Sequence, residues 1–283
     1  MERVPTKNMK YHQIIAALME EPLLITPAAH ASLVKLFEEH RTLDAAEFRA
    51  KREGVDFCGR EVELEQMEIV DGIAHIPIGG PIGKGLGKFE KGAGAVDVAD
   101  VMEDLDAAEE DANVKAIILD IDSPGGMVSG TPELADRVAA CNKPIYAFTS
   151  GMMCSAAYWV GCACDGIFAT KSADLGSIGV YVPYLDQSKR YENAGLKMEV
   201  ISSGKYKGAG VPGTSLNADH REFLQERVDD IAKMFYGHVQ RNRAEATADD
   251  MQGQVFKAEA ALAKGLIDEV VREKGDVVEF LVG

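Results

Sequence analysis

The chain has 283 residues, 46% apolar and 27% charged, a globular balance that excludes wholesale disorder. Lysine and arginine total 30 against 46 aspartates and glutamates, and no basic block offsets the net charge of −16, so nucleic-acid binding is not expected. Five cysteines (Cys58, Cys141, Cys154, Cys162 and Cys164) are an odd number in a chain too long to need staples, which argues against a disulfide framework. Cys162 and Cys164 lie in an apolar stretch without a nearby histidine, so buried, inert thiols are expected rather than a structural zinc. The first residues, MERVPTKNMKYHQ, lack the apolar core of a signal peptide, and no run of about 18 apolar residues follows. These features predict a soluble, intracellular protein with no membrane span.

Helical spacing marks Tyr11–Glu20 and Pro27–His40, the second with Thr26 as N-cap, and Leu43–Glu53 is a candidate third helix. The polar stretch Gly54–Gln66 reads as a linker. Residues 1–65 are therefore expected to form a helical appendage, and residues 66–283 the main domain. Glu68–Ile78 alternates like a strand and ends at Gly79-Gly80. Pro81–Val96 carries five glycines and reads as a mobile loop. Val96–Glu110 is predicted helical, Val114–Ile121 a fully buried strand, Thr131–Ala140 a helix with Pro132 in its first turn, Pro144–Thr149 a strand and Ser155–Cys164 a helix. Gly166–Thr170, Ile178–Val182 and Lys197–Ile201 read as short strands. Ala218–Ala244 is a long amphipathic helix with Phe223, Val228, Ile231, Met234 and Phe235 on its apolar face. Ala258–Lys264 is a helix closed by Gly265, and Ile267–Val271 a final strand. Strands alternating with helices predict a layered α/β fold with parallel strands.

Three stretches carry chemistry. Ser155 stands at the start of a predicted helix, where unpaired N–H groups and the positive helix end suit a nucleophile and the charge it generates. A serine there also serves as a plain N-cap. The pattern G-x-S-x-G is absent, which disfavours an ordinary α/β-hydrolase elbow. Lys207 follows a Ser-Ser-Gly turn, and small or apolar residues, Gly208, Ala209, Gly210 and Val211, come after it. A free lysine has a pKa of about 10.4, so a lysine base must be desolvated or set near positive charge. The plainer reading of Lys207, and of Lys205 beside it, is a surface loop lysine. The third stretch is Asp122-Ser-Pro-Gly-Gly126, whose glycines free backbone N–H groups at unusual φ. The N–H groups of Gly126 and Ala156 can together hold an oxyanion, while a simple strand-ending turn is the alternative. The six histidines, among them His75, His220 and His238, sit in no triad context and read as surface or packing residues.

The run Asp122-Ser-Pro-Gly-Gly126, Cys154-Ser-Ala-Ala-Tyr158, Gly176-Ser-Ile-Gly-Val180 and Ser203-Gly-Lys-Tyr-Lys207 resembles the signal peptide peptidase A family of serine peptidases, from about Met67 to Val271. That resemblance implies the crotonase-like fold shared with Clp protease, and a Ser–Lys dyad. Carried onto this chain it implies Ser155 as nucleophile and Lys207 as general base. It makes Ser177 the residue that orients the lysine amine, with Gly126 and Ala156, beside Gly125, as the oxyanion hole. No cofactor and no metal are implied. Glu21-Pro-Leu-Leu-Ile-Thr-Pro27 and the turn Ser123–Val128 are similar to phage capsid-assembly proteases of the protein C type. They imply a prohead maturation protease that acts on scaffold, portal or capsid polypeptides, in the host cytoplasm or inside the prohead. The alternatives are a cellular peptidase of the same family without a membrane anchor, a crotonase-type acyl-CoA enzyme, and a non-catalytic assembly protein. A homo-oligomer is expected, with the helix Ala218–Ala244 as a subunit contact.

Overall fold

The computed structural model describes residues 21–42, 55 and 66–282. The expected helices Tyr11–Glu20 and Leu43–Glu53, Cys58 and nearly all of the Gly54–Gln66 linker lie outside the described residues. What is described falls into two compact units. One takes in Val180–Lys233 and the described end of Met1–Leu23; the other joins Leu24–Gly179 to Met234–Gly283.

The larger unit opens with strand β1 (Leu23–Ile25) and helix α1 (Pro27–Thr42). Thr26 caps α1 as expected, its Oγ1 accepting from the Ala29 N–H at 3.4 Å. The predicted single strand over Glu68–Ile78 is instead a hairpin, β2 (Glu68–Val70) and β3 (Ile73–Gly79), paired antiparallel with Val70 opposite Ile73. Asp71 and Gly72 between them have φ of 52° and 81°, the double left-handed turn that an Asp-Gly pair favours. The glycine-rich stretch Pro81–Val96 is also more ordered than a loop. It holds β4 (Ile82–Gly83) and the short helix α2 (Lys88–Gly92), and runs into β5 (Val96–Asp97). Asp97 then caps α3 (Val98–Glu110), accepting from the Ala99 N–H at 2.9 Å.

From there a unit of long strand, short strand and helix recurs. Strand β6 (Ala116–Asp122) is followed by β7 (Gly125–Met127) and α4 (Thr131–Ala139). Strand β8 (Ile145–Thr149) is followed by β9 (Met152–Cys154) and α5 (Ala156–Gly161). Strand β10 (Gly166–Thr170) runs on into β11 (Asp174–Gly176), a short strand that the sequence pattern did not reveal. In the smaller unit lie α6 (Ser188–Asn193) and the first turns of α7 (Ala218–Asn242). The chain ends through β12 (Val255–Lys257), α8 (Ala258–Ala263), β13 (Glu269–Val271) and α9 (Lys274–Val282).

The longer strands β10, β8, β6 and β3, flanked by the three-residue edge strands β13 and β2, make a six-stranded sheet in the order β13-β10-β8-β6-β3-β2, parallel except at the β2 edge. The short strands make two smaller sheets, β1-β7-β4-β5 and β12-β11-β9. Each of β3, β6, β8 and β10 thus hands its chain, at its C-terminal end, to a second layer of short strands. This is a layered α/β architecture with parallel strands, as the alternation of strands and helices predicts. Ile117, Ile118, Leu119 and Ile121 of β6 are fully buried, as a strand covered on both faces requires. One face of the sheet packs Ile73, Ile118, Phe148 and Phe168 against Val277 of α9, a helix the sequence reading missed.

Two expected strands do not form. Ile178–Val182 contributes only an isolated bridge, Tyr181 to Leu23, and Lys197–Ile201 has no regular structure. Their composition suits strands, but a strand exists only where a neighbour completes its hydrogen bonds. On α7 the apolar face is Ala232, Phe235 and Val239, all buried, whereas Met234 is half exposed and leaves the expected stripe.

The segment after α7 is pinned by Asp250, whose carboxylate accepts from Thr247 N at 3.0 Å, Thr247 Oγ1 at 2.6 Å and Lys264 Nζ at 2.5 Å. Lys264 first, and then Thr247, pull its pKa down to about 2. A depressed carboxylate stabilises the fold above its unfolded pKa of about 3.9 and loses that contribution as pH falls through about 2. Asp250→Asn should therefore melt below the wild type at pH 7, and the difference should shrink as pH falls below about 4. Thermal melts across that range check this, and a gap independent of pH would contradict it.

Candidate active site

The turn after β6 is stitched to β9. Ser123 donates its N–H to Met152 O at 2.7 Å, and Cys154 donates its N–H to Ser123 O at 3.1 Å. Ser123 Oγ donates to Gly80 O at 2.6 Å, and the Met152 N–H donates to Asp122 Oδ1 at 3.0 Å. The result brings the glycine pair against the residue that follows β9. Gly125 has φ of 104°, and a Cβ there would stand 2.1 Å from Leu24 O and 2.9 Å from Ser155 Cβ. At Gly126 a Cβ would stand 1.9 Å from Ile82 O. Both positions require glycine for close approach. The Gly125 N–H faces Ser123 Oγ at 3.3 Å.

Ser155 joins β9 to α5 with φ 55° and ψ −115°, and it is buried. A side chain other than glycine in that region costs about 1–3 kcal/mol, and such strain clusters at functional sites. The serine occupies the N-cap position, its O accepting from the Trp159 N–H at 2.9 Å, yet its side chain makes no capping hydrogen bond. A purely structural N-cap serine would make one. Although G-x-S-x-G is absent, the local geometry is a strained strand-to-helix turn of the kind that motif builds. Ala156 opens the helix, so its N–H has no intrahelical acceptor.

Ser177 lies beside this turn. Strands β9 and β11 pair in parallel with Cys154 opposite Gly176, and the Ser155 N–H donates to Gly176 O at 2.8 Å. Ser177 follows with φ of 50°, buried, its N–H donating to Gln254 O at 2.6 Å. Two serines with positive φ thus close the C-terminal ends of two adjacent parallel strands, where ligand sites of layered α/β folds collect.

The buried thiols on either side of Ser155 in the chain are held protonated. Burial first, and then Asp174, pushes the Cys154 thiol up to about 12, so almost no thiolate forms at neutral pH. Cys162 is likewise raised to about 12 by burial. His238 is buried against Trp159 and its pKa is lowered, chiefly by desolvation. His75 is lowered for the same leading reason and stands in β3 opposite Ile118.

Lys207 belongs to the smaller unit, in a run of turns, and its side chain is exposed. The strand expected before it is absent, so no sheet buries it. Lys205 is engaged: its Nζ lies 4.6 Å from the Tyr206 ring centroid and 3.7 Å from Asp219 Oδ1. Tyr206 first, with Asp219 adding to it, raises the Lys205 pKa and holds that ammonium charged.

A strained serine in a strand-to-helix turn, set against a glycine turn, is an arrangement that serine hydrolases use, and the comparisons with known proteins point to a peptidase. Residues 138–279, half of the chain, match the model of peptidase family S49, and residues 93–173 match that of Clp protease. The chain belongs to peptidase family S49. It is 29% identical over 276 residues to the head-tail preconnector protein GP5 of Enterobacteria phage P21, covering 91% of this chain and 54% of that one. It is 31% identical over 213 residues to the capsid assembly protease C of Escherichia phage lambda, covering 74% and 48%. It is 29% identical over 206 residues to the chloroplastic serine protease SPPA of Arabidopsis thaliana, covering 71% and 30%. The chain thus spans about half the length of the two phage relatives. No helix among the described residues is long and apolar enough to cross a membrane.

The glycine constraint is testable. Gly125→Ala places a methyl group inside van der Waals contact with Leu24 O and Ser155 Cβ at a positive φ, so it should abolish activity and lower the melting temperature markedly. Gly79→Ala, with nothing within 4 Å of the new Cβ, should be close to silent. Equal behaviour of the two variants in melts and in casein hydrolysis would contradict the close approach.

Proposed function

We propose that this peptidase is a serine endopeptidase with a Ser155–Lys207 dyad. The observation that carries the reading is Ser155 itself, strained, buried, and with a side chain not spent on capping its helix. In this scheme Ser155 Oγ attacks the scissile carbonyl carbon and Lys207 Nζ takes its proton. The same lysine then returns that proton to the leaving amine. Gly126 and Ala156 direct N–H groups at the developing oxyanion, with Gly125 keeping the turn close. Ser177 accepts from or donates to the lysine amine and orients it. Lys207 is the better of the two lysines for a base because Lys205 is held charged by Tyr206 and Asp219.

The substrates in this reading are polypeptides, and similarity to a capsid assembly protease favours a role in phage prohead maturation on scaffold, portal or capsid chains. The protease works in the host cytoplasm or inside the prohead, as a homo-oligomer that limits access to the serine. The peptidase domain in this reading takes in Leu24–Thr42 ahead of residue 66, because β1 pairs with β7 beside the glycine turn.

Casein hydrolysis by purified variants tests the dyad. Ser155→Ala and Lys207→Ala should each lose several orders of magnitude in rate, and the double variant should be no worse, because the pair acts as a unit. Ser177→Ala should slow turnover without abolishing it, and Lys205→Ala should be nearly silent. Activity lost in Lys205→Ala but kept in Lys207→Ala would overturn the choice of base.

A further inference from the structure

The segment Leu196–Ile201, sequence LKMEVI, is exposed along its whole length. Leu196, Met198 and Val200 are 59%, 40% and 42% exposed, and Ile201 is 99% exposed. Apolar residues alternate with charged ones, as in a half-buried strand, yet the segment joins no sheet among the described residues. Lys197 Nζ lies 2.5 Å from Glu199 Oε1, so these two side chains share one side of the extended backbone. Leu196, Met198 and Val200 then share the other.

We propose that this segment is an interface strand that pairs antiparallel with the same segment of a second copy, about a two-fold axis through Met198. The sequence is complementary to itself in that register. Residues opposite one another sum to 396, so Leu196 faces Val200 and Met198 faces its own copy. On the other side Lys197 faces Glu199, twice by symmetry. The paired stretch ends at Leu196 and Val200, because Gly195, which would stand opposite Ile201, has φ of 70° and leaves the extended region. The pairing would give the extended backbone from Lys197 to Val200 a neighbour, cover three apolar residues per copy, and exchange the Lys197–Glu199 pair within each copy for two such pairs across the strands. A one-residue slip would set Lys197 against Met198 and lose both the apolar and the ionic match. The second copy is the occupant proposed because the Lys-x-Glu order of the segment is complementary to itself when reversed, a match that a peptide of arbitrary sequence lacks. This inference stands apart from the dyad, since it concerns assembly and not the serine.

The experiment is light scattering on the full chain in the Ser155→Ala background, from about one to tens of micromolar. The unaltered segment should give a dimer or an even multiple of it. Lys197→Glu and Glu199→Lys, each alone, set like charges opposite one another at two places and should weaken association roughly tenfold or more. The double variant Lys197→Glu/Glu199→Lys restores the cross-strand pairs and should restore association. Met198→Cys should form a covalent dimer under mild oxidant, because the two-fold axis brings that position to its own copy; Leu185→Cys, equally exposed, should not. A monomer throughout the range, single charge variants that associate normally, a double variant that stays weak, or no cross-link at Met198→Cys would each overturn the proposal. Unchanged mass combined with weakened casein binding in the single variants would assign the segment to substrate instead.

Discussion

Ser155 holds φ 55° and ψ −115° because its backbone is fixed from both sides. Its N–H is tied to Gly176 O, and its carbonyl receives the first hydrogen bond of the following helix. Against it sits Gly125, close enough that any side chain would collide. The strain at Ser155, about 1–3 kcal/mol, is affordable only inside a lattice of this kind. The β6–β7 turn and the β9–β11 pairing hold that one residue, and the large sheet delivers both from the C-terminal ends of the parallel strands β6, β8 and β10.

Electrostatics then decides which group near the turn is reactive. Burial and nearby carboxylates keep Cys154 a thiol, so the residue before the serine offers no competing nucleophile. A serine needs no such tuning, since its reactivity comes from a base that removes its proton during attack. In the reading proposed here the choice between the two lysines of Ser203–Lys207 follows similar logic: Tyr206 and Asp219 hold Lys205 charged, which leaves Lys207 as the proposed base.

Much of the fold was legible in the residues. The buried run Ala116–Ile121, the proline-started helix at Thr131 and the Gly-Gly turn at 125–126 each carry a local signal that the tertiary structure reinforces. The Asp71-Gly72 hairpin was equally written in the chain and was passed over, because continuous alternation on both sides of the pair mimics one strand. Strand β11 could not be read, since three residues, Asp174, Leu175 and Gly176, hold no period. Lys197–Ile201 shows the converse: the pattern of a strand was present, and pairing, which belongs to two segments and not one, was absent within the described chain. At the site, the position of Ser155 was legible and its conformation was not. The glycines that make room for the strained turn belong to another segment, 30 residues earlier at Gly125, instead of flanking the serine as in G-x-S-x-G.

The most direct test of a reactive Ser155 is covalent labelling of the native protein with a fluorophosphonate, followed by peptide mapping. Phosphorus bonds only to a serine whose proton is removed as attack proceeds, and fluoride leaves. The adduct should map to Ser155 and not to Ser177, and should vanish when the chain is unfolded before labelling. A native preparation that hydrolyses casein while its adduct maps elsewhere, or while Ser155 stays unmodified, would contradict the account.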